Sequence, residues 1–134
     1  MIAVTYLRKV HQSLRLTITV GCLLHLYTFA FKAEGNWSIF VLGLLAFSLT
    51  PYAVAAILAY FGRMASGALG FAAGTLLGDL FMHYSVFIAP KSSTAALGLI
   101  FMPLWNLLLL GPIGMLFGWA IDRLIGKRSR KNEA

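Results

Sequence analysis

The chain has 134 residues, of which 60% are hydrophobic and only 11% charged, and its formal net charge is +7. A soluble domain is about 45–50% apolar and about 25% charged, so this composition excludes a soluble globular protein and a disordered chain. Cys22 is the single cysteine, which excludes an internal disulfide framework. The chain is therefore interpreted as a polytopic membrane protein.

Four apolar stretches follow one another along the chain, at approximately residues 14–31, 37–61, 66–88 and 94–121. Each is close to or above the ~20 residues that cross a bilayer as an α-helix. None shows the sustained alternation that is typical of barrel strands. Short connections make successive helices antiparallel neighbours. The predicted fold is all-α, a single domain with a bundle of four transmembrane helices and short loops.

The basic residues predict the orientation of this bundle. Nine of the eleven lysines and arginines fall on the side that holds both termini, and only Lys32 and Lys91 fall on the other. The positive-inside rule then predicts cytoplasmic N and C termini, and we expect an integral protein of a bacterial cytoplasmic (inner) membrane. Because the charges lie at the ends of apolar runs, they indicate a lipid bilayer as the partner and not nucleic acid.

The segments at the two ends of the chain carry more polar and charged residues than the apolar stretches do. Residues 1–13 have apolar positions at helical spacing, which predicts a short amphipathic helix at the membrane interface leading into the first span. Residues 122–134 form a basic tail. The tail is expected to contact anionic headgroups or to act only as a stop-transfer and orientation signal. Its candidate headgroup contacts are Lys127, Arg128, Arg130 and Lys131.

The first and third spans carry ionisable residues at similar depth. Asp79 is the only acidic residue in the four apolar stretches, and an ionisable group at the bilayer centre costs at least about 2.5 kcal/mol. Thr75, Asp79 and His83 share one helix face at spacings of four. His25 lies in the first span at a depth like that of His83. If the two faces meet, His25, Asp79 and His83 form one cluster.

Three interpretations of this cluster stay open. Asp79 and His83, with Thr75 and His25, are candidates for a proton or ion relay. The same residues are also candidates for a hydrogen-bond cluster that only fixes helix packing. A third alternative is a b-type haem held by His25 and His83. We expect no metal site.

The third span also carries a ladder of small residues at intervals of four. Small residues let two helix backbones approach closely, so this face predicts tight helix packing or an oligomer interface. The ladder consists of Ser66, Gly70, Gly74 and Gly78.

The fourth span contains two prolines, Pro103 and Pro112, with Asn106 between them. Each proline removes one helical amide and frees a carbonyl four residues earlier. Asn106 is a candidate for satisfying such a carbonyl. A broken helix with a polar midplane resembles the substrate sites of transporters, although prolines in membrane helices commonly only kink them.

The four-span layout resembles that of several small bacterial membrane families, among them the ATP synthase accessory protein I family, small multidrug exporters and GtrA-type flippase subunits. The resemblance is one of layout alone and carries no site residue. The first span here has no acidic residue, unlike the first helix of the small multidrug exporters.

Three functions are compatible with these features. The leading one is a small transporter or channel-like homo-oligomer with a buried Asp–His relay. The alternative is an accessory, assembly or immunity-type subunit of a larger membrane complex that binds another membrane protein through its helix faces. The third is a haem-bearing membrane protein. No set of nucleophile, base and orienting residue is apparent, so an enzyme is not favoured.

Overall fold

A computed structural model of the protein describes residues 2–32, 38–61, 64–90 and 95–132, with side chains described at 4–32, 38–61, 64–90 and 97–126. Within these ranges the chain is helical almost throughout and contains no strand. The predicted all-α fold is therefore confirmed.

The chain crosses the bundle four times. Helix α1 covers Ile2–Phe31 and helix α2 covers Ile39–Phe61. Helix α3 covers Ala65–His83 and continues as a π-helical turn at Tyr84–Ile88. The fourth span joins helix α4 (Ala95–Trp105), a π-helical turn (Asn106–Leu110) and helix α5 (Gly111–Asn132).

These helices match the predicted membrane spans. The stretches long and apolar enough to cross a bilayer are Val4–Phe31, Ile39–Phe61, Ala65–Ile88 and Leu97–Gly126. Residues 1–13, expected to form an interfacial helix, lie in a segment where α1 runs without interruption from Ile2. We call the end of the bundle that holds the two termini the terminal end and the opposite end the distal end.

Helix α3 is the central element and packs against α1, α2, α4 and α5. Its small residues explain this position, because they let the neighbouring backbones come close. A methyl group added at Gly70 would collide with the carbonyl of Gly114, and one added at Gly118 would collide with the carbonyl of Ser66. The predicted ladder thus packs on α5 of the same chain.

The fourth span stays helical through both prolines, where the sequence had suggested a broken helix. Pro112 cannot donate to the carbonyl four residues earlier. The turn just before it is wider, and the Gly111 amide donates to the carbonyl of Asn106, five residues back. Such π-helical turns often occur at functional sites. Here the turn begins at Asn106.

The terminal half of the bundle holds a compact apolar core. Its fully buried members come from α1, α2 and α3, and they are Leu14, Ala55, Ala68, Phe71 and Ala72. Many large apolar side chains elsewhere face outward, including Leu16, Ile57, Leu77 and Leu116. An apolar exterior around a small-residue interior is what a bilayer requires of a helical bundle.

The contact between α3 and α5 predicts a strong difference between two glycines. Gly114→Val places a side chain against the backbone of Gly70 and Gly74, and backbone atoms cannot rotate away. Gly43→Val makes the same change on α2, where a Cβ would have nothing within 4 Å. We expect Gly114→Val to lower the free energy of unfolding by about 1–3 kcal/mol or more.

Reversible unfolding in mixed detergent micelles measures this difference, with Gly43→Val as the matched control. An equal loss of stability in the two variants would contradict the close backbone contact.

Candidate functional site

The carboxylate of Asp79 is the centre of the candidate site. Its Oδ2 accepts hydrogen bonds from the His25 ring at Nε2 (2.9 Å) and from the Tyr52 hydroxyl (2.7 Å). Its Oδ1 accepts one from the Asn106 amide nitrogen (2.7 Å). Asp79, Tyr52 and Asn106 are each 1% exposed and His25 is 5% exposed. We call these four residues the polar layer.

The polar layer takes one residue from each span. Tyr52 and Asn106 lie 27 positions before and after Asp79, and His25 lies 54 positions before it. The three hydrogen bonds bring these four side chains together in the interior of the bundle. A carboxylate has about four acceptor positions, and three of them are used here. These hydrogen bonds offset part of the cost of burying the carboxylate, and a positive charge nearby would offset more of it.

His83 occupies a second position, one turn nearer the distal end. The sequence places His83 within reach of the Asp79 carboxylate, but its Nδ1 instead donates to the main-chain carbonyl of Asp79 (2.7 Å). Its Nε2 is 2.7 Å from the Thr28 hydroxyl. The His25 and His83 rings are near each other, with centroids 5.8 Å apart. The faces of α1 and α3 therefore meet, and it is His25 that contacts the carboxylate.

The Thr28 hydroxyl has two possible acceptors and one proton to give. It is 2.8 Å from the carbonyl of Leu24 and 2.7 Å from His83 Nε2. When His83 is neutral, Nδ1 holds its proton for the Asp79 carbonyl, so Thr28 donates to Nε2. When His83 gains a second proton, Nε2 becomes the donor, and Thr28 turns to Leu24.

A cavity of about 440 Å³ connects this site with the distal end. Asp79, His25 and His83 line its inner part, and Lys32, just after the end of α1, lines its outer part. Most of the remaining wall is apolar and includes three aromatic rings, those of Phe29, Phe47 and Phe87. The terminal side of the polar layer holds the packed apolar core instead. The site therefore faces one end of the bundle.

Two polar atoms beside the layer lack a hydrogen-bond partner among the described residues: the hydroxyl oxygen of Thr75 and the amide oxygen of Asn106. Thr75 is fully buried on the same face as Asp79, but Thr28 takes the place in the hydrogen-bond network that the sequence assigned to it. Asn106 was expected to satisfy a carbonyl freed by proline, and its amide group donates to Asp79 instead.

The remaining predicted residues lie on the fourth span, on the face of α3 that meets it, or in the basic tail. Gly74 and Gly78 border the fourth span, where added methyl groups would meet Leu110 and Asn106. Pro103 is fully buried on α4, and Pro112 is half-buried on α5. The side chains of the four basic tail residues lie outside the described part of the chain. These are Lys127, Arg128, Arg130 and Lys131.

His25 and His83 are also the residues that a b-type haem would need as its axial ligands. An axial ligand needs a ring nitrogen directed at the metal. His25 Nε2 is directed at Asp79, and both nitrogens of His83 are already hydrogen-bonded. The two rings lie edge to face, with their centroids 5.8 Å apart. Among the described residues no group of three His, Cys, Asp or Glu side chains is arranged to hold a metal ion.

Tyr52 is the site residue that the sequence analysis missed. Aromatic residues are frequent in membrane spans, so nothing in the second span distinguishes Tyr52 as a polar site residue. One signal was present, because Gly21 lies one turn before His25 and a methyl group there would collide with the Tyr52 ring. The glycine on the polar face of α1 makes room for this ring.

In comparisons with protein families, curated proteins and solved structures, the chain has no match. The four apolar helices identify a small membrane protein, and its activity has to be inferred from the site.

The Tyr52 hydroxyl should stabilise the protein by donating to the buried carboxylate. Hydrogen bonds to charged groups contribute about 1.5–3 kcal/mol. Tyr52→Phe should therefore lower the free energy of unfolding by about that amount, as measured in mixed detergent micelles. Tyr60→Phe on the same helix is the control, because Tyr60 is 83% exposed. If both variants unfold alike, the Tyr52–Asp79 bond is not a stabilising contact.

Proposed function

We propose that the protein is a small membrane transporter in which the Asp79–His25 pair takes up and releases a proton. The observation that carries this proposal is the position of the pair: a buried carboxylate that lines a cavity reaching the distal end of the bundle. An intramembrane ionisable residue of this kind marks an ion or substrate path by default.

The cavity favours a relay over a purely structural cluster. Hydrogen bonds that only fix helix packing need no open volume beside them, and close packing around them would be the cheaper arrangement. Here His25, Asp79 and His83 all border the same open space. An imidazole is the side chain whose charge changes most readily near neutral pH. The arrangement therefore suits a group that exchanges protons with the distal side.

His83 is the proposed entry point for the proton. It lies between the polar layer and the distal mouth, and its ring is only half-buried. The Thr28 hydroxyl adapts to either charge state of His83 by turning between two acceptors. The centroids of the His83 and His25 rings are 5.8 Å apart. Transfer across that separation requires a bridging water or a small motion of one ring.

The closed terminal half makes the protein a carrier and not an open channel. The apolar core around Phe71 separates the polar layer from the terminal end. A carrier exposes its site to one side at a time, and the cavity beside Asp79 supports a form that is open toward the distal side. Transport then requires a second form in which the packing of this core changes.

A second candidate function is supported by a different surface. A groove of about 680 Å³ runs between α3 and the fourth span, along the edge of the small-residue ladder. The exposed side chains of Leu77, Phe81 and Phe117 border it. An apolar groove of this shape suits another transmembrane helix, as an accessory subunit or a homo-oligomer would provide. Native mass spectrometry of gently extracted protein distinguishes the two partners.

The transport proposal is tested by proton flux in liposomes. Vesicles with an internal pH dye receive an acid pulse in buffers containing Na⁺, K⁺ or tetraphenylphosphonium in turn, with the membrane voltage clamped. We expect Asp79→Asn and His25→Gln to reduce the rate of pH change at least about tenfold, since relay residues of this kind are individually essential. His25→Gln retains a hydrogen-bond donor to Asp79 but cannot titrate.

Asp122→Asn is the control, because Asp122 is exposed near the terminal end of α5. Flux that survives both site substitutions, in variants that remain monodisperse, would overturn the relay. So would a wild-type protein that moves no protons in any of the three buffers.

A further inference from the structure

We propose that the distal cavity binds a hydrophobic organic cation, and that its binding expels the proton from the Asp79–His25 pair. This inference rests on the proposed function and names its substrate class. The cavity is the one formed by α1, α2, α3 and α4 around the polar layer.

The size and the apolar wall of the cavity indicate that the uncharged part of the ligand is organic and hydrophobic. A volume of about 440 Å³ lies in the range of sites that hold drug-sized organic molecules. The wall combines the rings of Phe29, Phe47 and Phe87 with the aliphatic side chains of Leu44, Leu99 and Ile100. Such a surface gains free energy by removing apolar groups from water. A bare metal ion or a strongly polar solute would make few favourable contacts with this apolar wall.

The Asp79 carboxylate at the inner end of the cavity indicates that the ligand carries a positive charge. Among the described residues, Asp79 is the only acidic one that lines the cavity. Its carboxylate needs one positive charge nearby, because an uncompensated ion in a low-dielectric interior is costly. Either a proton on the pair or a cation in the cavity supplies that charge. Aromatic rings add to this preference, since their faces attract cations.

The proton on the Asp79–His25 pair and a cation in the cavity therefore compete with each other. The titratable groups around Asp79 are His25 on α1, Tyr52 on α2 and His83 on α3, and Cys22 of α1 lies near Tyr52. The fourth span contributes Asn106, which does not titrate. With the proton present, the pair carries no net negative charge. Loss of one proton and entry of one monovalent cation restore the same total charge. The exchange is therefore one for one.

Lys32 distinguishes a cation from an anion at this site. Its ammonium group lies 5.9 Å from the centroid of the Phe87 ring, at the outer part of the cavity. This fixed positive charge opposes an incoming cation and would attract an incoming anion. Lys32→Ala should thus strengthen the binding of a cation. The same substitution would weaken the binding of an amphiphile with an acidic head.

Two probes of nearly the same size and shape but opposite charge test the proposal. Tetraphenylphosphonium and tetraphenylborate are titrated into the purified protein in nanodiscs, with empty nanodiscs subtracted. We expect saturable binding of tetraphenylphosphonium, tighter at higher pH, with about one proton released per cation in weakly buffered solution. Asp79→Asn should weaken this binding at least about tenfold, given the strength of an ion pair at low dielectric.

His25→Gln provides a second test if Asp79→Asn fails to fold. It removes the group that carries the competing proton, so its affinity for tetraphenylphosphonium should vary less with pH than that of the wild type. Tighter binding of tetraphenylborate than of tetraphenylphosphonium would overturn the proposal, as would weaker cation binding by Lys32→Ala. Absence of saturable cation binding would overturn it too. Proton flux that depends on Asp79 alongside any of these results would leave the transporter proposal standing and refute only the substrate class.

Discussion

The bundle is organised around the need to satisfy one carboxylate in the interior of a membrane protein. Asp79 is only 1% exposed, so hydrogen bonds from the chain itself are needed to stabilise it. They come from all three of the other spans, through His25, Tyr52 and Asn106. Each bond fixes the rotation and the depth of one helix, because a shift of one residue turns a helical side chain by about 100°. The polar layer thus sets the register of four helices that apolar packing alone would hold less specifically.

The polar layer can form only because the small residues of α3 let the fourth span pack closely against it. Asn106 reaches Asp79 only because the fourth span lies directly against α3, and a Cβ at Gly78 would collide with its side chain. The π-helical turn that begins at Asn106 precedes Pro112, where a regular helical hydrogen bond is impossible. The glycine ladder and the second proline therefore act together with Asn106. Features that looked like separate signals for packing, kinking and chemistry in the sequence belong to one arrangement.

The parts that could be predicted are those encoded in hydropathy and helical spacing. The four apolar stretches were enough to predict the four spans. The similar depths of His25 and His83 were enough to suggest that the polar faces of α1 and α3 could meet. The partner of the carboxylate was harder, because spacing along α3 favoured His83, whose ring bonds to the main chain of its own helix instead. Tyr52 could not be singled out, since one tyrosine in an apolar span has no periodic pattern. Its role depends on the rotation of α2, which a stretch without ionisable residues does not reveal.

The two halves of the bundle differ in a way that bears on mechanism. Toward the distal end the helices leave a cavity, whereas toward the terminal end they are packed around Phe71 and Ala72. Apolar packing between small residues resists opening less than a network of buried hydrogen bonds does, because separating it exposes no unpaired polar atoms to lipid. In the proposed transporter, the polar layer would therefore serve as the pivot and the terminal core as the gate. A change in charge at Asp79 would act on all four spans, since its carboxylate is hydrogen-bonded to residues of the other three. The proposed coupling between a proton at this carboxylate and the opening of the opposite half would then run through these hydrogen bonds.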